Sequence, residues 1–347
     1  MSRIGTAIIG DRFMKPEAFA KALEAVEGLS FDLRLLEQPW PDEPMHHGYA
    51  DPALDGLKEF MGAPDEVAAF IGDAKVFVTH LAPVTETMLA RCPNLELIAV
   101  SRGGPVNVDR AAVKRRGIRL VSTPGRNADA VAEFAIGAIL AETRLIRAGH
   151  EALRGGTWRG DLYRADRTGR ELREMTVGVI GYGHIGSRLV RLLRVFGPRI
   201  LVADPYVQLS REDQEAGVEQ VGLERLLEES DVVTLHARVT PETTGFLGAE
   251  QFARMKPGAL FVNTARGPMV DYDALYRALA SRHLGGAMLE TFAVEPVPPD
   301  WPLLQLDNVT LTPHIAGASV RTITLAAEMI AEDIRRHFAG EPPVHQI

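Results

Sequence analysis

Apolar and polar positions along this chain switch repeatedly between two periods. Short apolar runs at residues 6–9, 31–36, 76–79, 97–101 and 118–122 have the length and β-branched content of buried strands. Helical spacing fills the gaps. Residues 15–26 set Phe19, Leu23 and Val26 on one face, residues 57–70 read as a second helix, and shorter ones fit at 85–91 and 109–116. The Pro- and His-bearing stretch 39–52 reads as a loop. Repeated strand–helix units predict a parallel sheet with helices on both faces. Thr123-Pro124-Gly125 breaks both periods. Beyond it, residues 127–151 predict one long helix, apolar almost all round and therefore buried on several faces. Gly155-Gly156-Thr157-Trp158 ends it, and the polar run 159–173 reads as an arm or loop. The alternation then resumes, with strands at 177–180, 200–203, 232–235, 260–263, 287–290 and 309–312. Helices fall at 223–229, 249–255 and 272–282. The last helix, 320–338, is amphipathic through Ile323, Ala326, Ile330 and Ile334, and is expected to pack back on the first domain.

Length turns this pattern into two domains, because 347 residues exceed one ordinary core. A hydrophobic fraction of 46% with 24% charged residues is that of a globular protein in water. The formal net charge of -8 gives no general attraction to nucleic acid or to an anionic membrane. No apolar run reaches membrane-spanning length. The single cysteine, Cys92, rules out an internal disulfide framework and a multi-cysteine metal site, and a reducing cytoplasm is the expected location.

The densest chemistry lies at residues 176–186, TVGVIGYGHIG. The strand runs straight into Gly181-Tyr182-Gly183-His184-Ile185-Gly186, and a helical pattern through Leu189, Leu192 and Leu193 follows. The first glycine permits the tight turn, the second lets backbone N–H groups approach a pyrophosphate, and the third lets helix and strand pack closely. Phosphates then sit at a helix N-terminus, where unsatisfied N–H groups favour negative charge. The next strand ends in Asp204-Pro205, eighteen positions after Gly186, where a carboxylate would bind the ribose hydroxyls of a dinucleotide. NAD is the expected cofactor.

Three stretches further on each follow a strand: Asn263-Thr264-Ala265-Arg266-Gly267, Thr291-Phe292-Ala293-Val294-Glu295-Pro296, and Thr312-Pro313-His314-Ile315-Ala316-Gly317. With the glycine motif, their order and spacing resemble the D-isomer-specific 2-hydroxyacid dehydrogenases from about residue 97 to the end. The resemblance implies an α/β fold of two doubly wound parallel-sheet domains. A Rossmann NAD-binding domain (124–315) would be inserted in a flavodoxin-like substrate domain (1–123 and 316–347). It implies a homodimer through residues 127–158. It also implies catalytic roles for Arg266, Glu295 and His314. Cofactor contacts would come from residues 181–186, Asp204, Pro205, His236, Thr264, Ala265, Arg266, Glu290 and His314. The turn Arg102-Gly103-Gly104, with Arg266 and His314, would hold the substrate.

These residue types suit the chemistry. A ketone accepting hydride develops alkoxide charge, which a protonated His314 neutralises by giving its proton. A carboxylate beside the ring orients it and stabilises the imidazolium, and a guanidinium grips a carboxylate with a forked donor array. Two positions depart from the family pattern. Glu290 stands where Asp is usual, and Arg238 where Pro usually follows the His236 strand. A metal role for His46, His47 and His80 is set aside, because hydride transfer with His314 as proton donor needs none. The expected activity is NAD-dependent reduction of a small 2-oxoacid, or the reverse oxidation of a 2-hydroxy acid. The rivals are a phosphoglycerate dehydrogenase-like enzyme and an NAD-sensing, corepressor-like binding protein.

Overall fold

The computed structural model describes residues 3–40, 50–51, 54 and 56–347. His46 and His47 lie outside the described residues. The chain divides into two compact units, residues 1–127 with 318–347 (unit 1) and residues 128–317 (unit 2).

Unit 1 begins β1 (Ile4–Asp11), α1 (Pro16–Glu24), β2 (Phe31–Gln38). A small antiparallel pair follows, β3 (Ala50–Asp51) and β4 (Leu57–Lys58), then α2 (Pro64–Ile71). The remainder alternates as β5 (Val76–Thr79), α3 (Glu86–Leu89), β6 (Leu97–Val100), α4 (Arg110–Arg115) and β7 (Arg119–Val121). The main sheet runs β2-β1-β5-β6-β7, all parallel. Leaving out the small pair, that is the order 2-1-3-4-5 of a flavodoxin-like sheet. β5 and β6 are buried throughout, as strands covered on both faces must be.

Residues 57–70 do not form the expected helix. Leu57 and Lys58 are extended in β4, Glu59 (φ 49°) and Gly62 (φ 89°) take left-handed conformations, and the helix starts only at Pro64. Proline's fixed φ and missing N–H suit the first turn of a helix and not its interior, so Pro64 sets the boundary.

Unit 2 opens with a second correction. The single helix expected over 127–151 is two, α5 (Ala128–Thr143) and α6 (Ile146–Arg154), broken at Leu145 with φ 58°. A mostly buried ion pair holds the corner, Arg147 Nε to Glu142 Oε1 at 2.9 Å, and Glu142 also accepts from Thr310 Oγ1. After two 3-10 turns come β8 (Thr176–Ile180), α7 (His184–Phe196), β9 (Arg199–Ala203), α8 (Arg211–Glu215) and β10 (Glu219–Gln220). Then follow α9 (Leu223–Glu229), β11 (Val232–Leu235), α10 (Ala249–Arg254), β12 (Leu260–Asn263), α11 (Tyr272–Ala280), β13 (Gly286–Leu289) and β14 (Val309–Leu311). All seven strands are parallel in the order β10-β9-β8-β11-β12-β13-β14. That is the doubly wound Rossmann order, extended by one strand. The sequence reading left out α8 and β10, whose short polar segments carry no clear period.

The chain returns to unit 1 through α12 (Val320–Phe338), capped by Ser319. Ala326, Ile330 and Ile334 pack with Phe19 and Leu23 of α1. Buried Asp333 accepts N–H groups of Val344 and His345, tying down the C-terminal tail.

Candidate active site

In a parallel sheet every strand ends at the same edge, so the loops after β8, β9, β11, β12, β13 and β14 gather there. The sheet order reverses between β8 and β11, and a crevice opens beyond strand ends at such a point. Gly181 fits where no other residue would, at φ 94° and with an added Cβ only 2.7–2.8 Å from the His236–Ala237 backbone. A Cβ on Gly186 would lie 2.0 Å from the Gly181 carbonyl oxygen, so helix α7 can close on the strand. A Cβ on Gly183 would meet nothing, which leaves room before the start of α7. No side chain caps α7, so its first N–H groups remain available to an anion. The residues present therefore fit a dinucleotide pyrophosphate.

Tyr182 offers only backbone, because its ring is buried with its hydroxyl on Asp213. His184 and Pro205 are exposed and Ile185 is half-buried. Asp204 holds the turn together. Its Oδ2 accepts the Tyr182 N–H at 2.8 Å, and its Oδ1 accepts those of Tyr206 and Val207 at 2.8 and 3.0 Å. The carboxylate is thus positioned before any ligand arrives.

His236 is buried between Thr234 Oγ1 (2.8 Å from Nε2) and Thr264 Oγ1 (3.5 Å from Nδ1). Desolvation pushes its pKa down to about 3, so the ring is neutral at ordinary pH. Asn263 Oδ1 accepts the Ala265 N–H, shaping the loop that carries Arg266. Arg266 is exposed and donates one N–H to the Ala265 carbonyl at 2.7 Å. Asp271 caps α11 through the Ala274 N–H instead of pairing with Arg266. Gly267 presses this loop onto the next one: an added Cβ would lie 1.9 Å from the Phe292 carbonyl.

Glu295 Oε2 stands 2.7 Å from His314 Nδ1, and Glu295 Oε1 accepts the Phe292 N–H at 2.7 Å. The carboxylate is mostly buried, whereas the imidazole keeps 28% of its side-chain surface. His314 itself has φ 53°, and its N–H donates to the carbonyls of Glu290 and Thr312, both at 3.1 Å. The Glu290 side chain lies beneath this loop, accepting N–H groups of Ile315 and Ala316. Burial raises its pKa above the usual carboxylate range. Glu290 thus braces the His314 loop, a role its sequence position does not announce.

In unit 1, Arg102 Nη1 donates to the Glu59 carbonyl at 3.0 Å and Nη2 pairs with its carboxylate. Gly103 and Gly104 are exposed. His80 Nδ1 meets Asp11 Oδ2 at 2.6 Å in a buried pair. Among the described residues, no three His, Cys, Asp or Glu side chains gather as a metal site.

Comparison with known proteins agrees with this geometry. Residues 136–316 match the family model described as D-isomer specific 2-hydroxyacid dehydrogenase, NAD binding domain. The chain is 37% identical over 337 residues to a glyoxylate reductase of Korarchaeum cryptofilum, covering 95% of each protein. It is 36% identical over 278 residues to a D-3-phosphoglycerate dehydrogenase of Mycobacterium tuberculosis, covering 80% of this chain and 52% of that one. The structure of the Aquifex aeolicus D-lactate dehydrogenase complexed with NAD and lactic acid superposes with TM-score 0.71 at 26% identity, over 96% of both chains. The chain belongs to the D-isomer specific 2-hydroxyacid dehydrogenase family and is an NAD-dependent oxidoreductase acting on 2-hydroxy acids.

Proposed function

We propose that the chain reduces a small 2-oxoacid with NADH, or runs the reverse oxidation, with His314 as the proton-transferring group. The observation that carries this reading is the His314–Glu295 pair at 2.7 Å. Nδ1–H donates to a carboxylate that is itself held by the Phe292 N–H, so the tautomer and ring plane are set. Nε2 is then the atom that gives a proton to the nascent alkoxide or takes one from a hydroxyl. Arg266 is the proposed holder of the substrate carboxylate in unit 2, through its planar fork, and the N–H groups of Gly103 and Gly104 are the proposed substrate donors of unit 1. Bound nicotinamide supplies or accepts the hydride. Residues 181–186 and Asp204 would hold the cofactor, with His236, Thr264 and Ala265 along its path.

The homodimer is part of the same reading. α6 buries none of its residues, and Ile146, Leu153, Trp158 (84% exposed) and Tyr163 (96%) offer apolar surface that their own chain leaves uncovered. No described helix is long and apolar enough to cross a membrane. The one cysteine is buried, and a reducing cytoplasm is the proposed location. Following NADH consumption with glyoxylate and hydroxypyruvate, in wild type and His314→Ala, tests the reading. A loss of about 10²–10⁴-fold in turnover on the substitution is expected. A wild type that binds NADH without turning over any 2-oxoacid would instead favour the nucleotide-sensing alternative.

A further inference from the structure

Arg126 lies in the turn after β7 and is largely buried. Its Nε and Nη1 are shut off from solvent without a hydrogen-bond partner among the described residues. The groups around it explain why. Asp11 attracts it, but that carboxylate is already spent: Oδ1 accepts the N–H groups of Phe13 (2.9 Å) and Met14 (2.7 Å), and Oδ2 pairs with His80. Arg102 repels it and takes Glu59 for itself. Burial, and then Arg102, pull the Arg126 pKa down to about 10, so it stays cationic at neutral pH.

The position is at the same end of the unit 1 sheet as the exposed glycine turn. The Thr123 N–H donates to the Arg102 carbonyl at 2.9 Å, and a Cβ on Gly103 would sit 3.7 Å from Pro124 Cα. The turn bearing Arg126 and the turn bearing Gly103 and Gly104 are therefore packed side by side. A buried cation without a counter-charge destabilises a fold, and such groups mark places where a ligand supplies the missing charge.

We propose that Arg126 is a specificity-determining residue that pairs with a second anionic group of the substrate, distal to the 2-oxoacid carboxylate. The proposal rests on the reductase reading above, in which the glycine turn of the same unit already serves the first carboxylate. A methyl or hydroxyl tail leaves the guanidinium desolvated and unpaired. A carboxylate or a phosphate satisfies it, and both match its fork.

The test compares wild type, Arg126→Met and Arg126→Lys with NADH and three substrates: glyoxylate, 2-oxoglutarate and a 2-oxoacid with a terminal phosphate. Wild type should prefer at least one doubly charged substrate over glyoxylate by about tenfold or more in kcat/KM. Arg126→Met should raise KM for that substrate by about 10²-fold, the scale for truncating one partner of a desolvated charge pair. It should leave kcat and the glyoxylate KM nearly unchanged. Arg126→Lys should recover part of the loss, and the larger penalty tells carboxylate from phosphate. Ligand-free Arg126→Met should melt no lower than wild type, since the change removes an unpaired buried charge; a structural arginine would behave in the opposite way. An equal loss on glyoxylate, a lowered ligand-free Tm, or a wild type that favours glyoxylate would overturn the proposal. Absence of any turnover would count against the reductase reading instead. The anion site would then be judged by whether 2-oxoglutarate raises the Tm of wild type and not of Arg126→Met.

Discussion

At the scale of single residues, the pair His314–Glu295 and the carboxylate of Asp204 carry the sharpest expectations. Reduction takes a proton from His314 and oxidation returns one to it, so both directions run through this one group. Glu295→Gln keeps the shape of the 2.7 Å contact and removes its charge. With the orienting charge gone, kcat should fall in both directions, and an unchanged kcat would take Glu295 out of its role. His314→Ala should lower kcat in both directions by about 10²–10⁴-fold, the usual worth of a positioned acid–base group. Asp204 should make NAD the preferred cofactor, because it accepts from ribose hydroxyls and repels a 2′-phosphate. Its oxygens also pin the Tyr182 and Tyr206 N–H groups, so Asp204→Ala should cost about 10–10²-fold in kcat/KM with NADH. The gap to NADPH should narrow at the same time; equal efficiency of the two cofactors in wild type would refute the assignment. Arg126 carries a signal that the sequence reading passed over. A cation two residues before the first turn of a helix opposes the helix dipole, so its reason for being there lies elsewhere.

At the scale of elements, the helices α5 and α6 carry the assembly prediction. α5 lays Ala132, Ala135 and Ile139 on the second sheet, while Phe134, Ile136 and Leu140 are only partly covered. With the exposed side chains of α6 and Trp158, they form the surface expected to bury against a second copy. Light scattering at micromolar concentration should give a dimer mass, and Trp158→Glu together with Leu153→Glu should shift it toward the monomer. A monomer mass for wild type would end the idea. The break at Leu145 shows why length alone misleads: 25 residues of unbroken helical pattern are legible, but Glu142 at the corner pairs with Arg147 and also accepts from Thr310 of β14, a tertiary contact.

At the scale of the whole molecule, buried histidines make stability depend on pH in a definite direction. His236, held near 3, and His80, lowered chiefly by burial and beside Asp11, are neutral in the fold. In the unfolded chain they take up protons near pH 6.5. The unfolded state therefore binds more protons below that value, and stability falls as pH falls. Buried neutral His236 should cost about 1.4 kcal/mol per pH unit from 6.5 down toward pH 3, and His80 adds to the loss in the same direction. Asp11, held below the usual carboxylate range by His80 and two N–H groups despite its burial, adds to the loss at more acid pH. Thermal unfolding should show a Tm that is flat above neutrality and drops from pH 6.5 to 5, and His236→Gln should reduce that slope. A constant Tm over this range would contradict the buried neutral state.

Much of the fold was legible in the sequence because it is locally encoded. The strands at 232–235 and 260–263 and the helices at 223–229 and 320–338 coincide with β11, β12, α9 and α12, since covered parallel strands are continuously apolar and helices repeat every three to four residues. The glycine turn was legible for a similar reason: the steric demands on Gly181 and Gly186 arise within one strand–turn–helix unit. Pro64 marks a helix start in the sequence too, against the apolar spacing on either side of it. What only the tertiary structure decided is which polar side chains become partners. Glu295 and His314 lie on different strand ends, as do Asp11 and His80, and their contacts of 2.7 and 2.6 Å follow from sheet order. Arg102 and Arg126 look alike in sequence, yet folding gives one a carboxylate and leaves the other buried without one, because neutralisation depends on neighbours brought from 43 residues away.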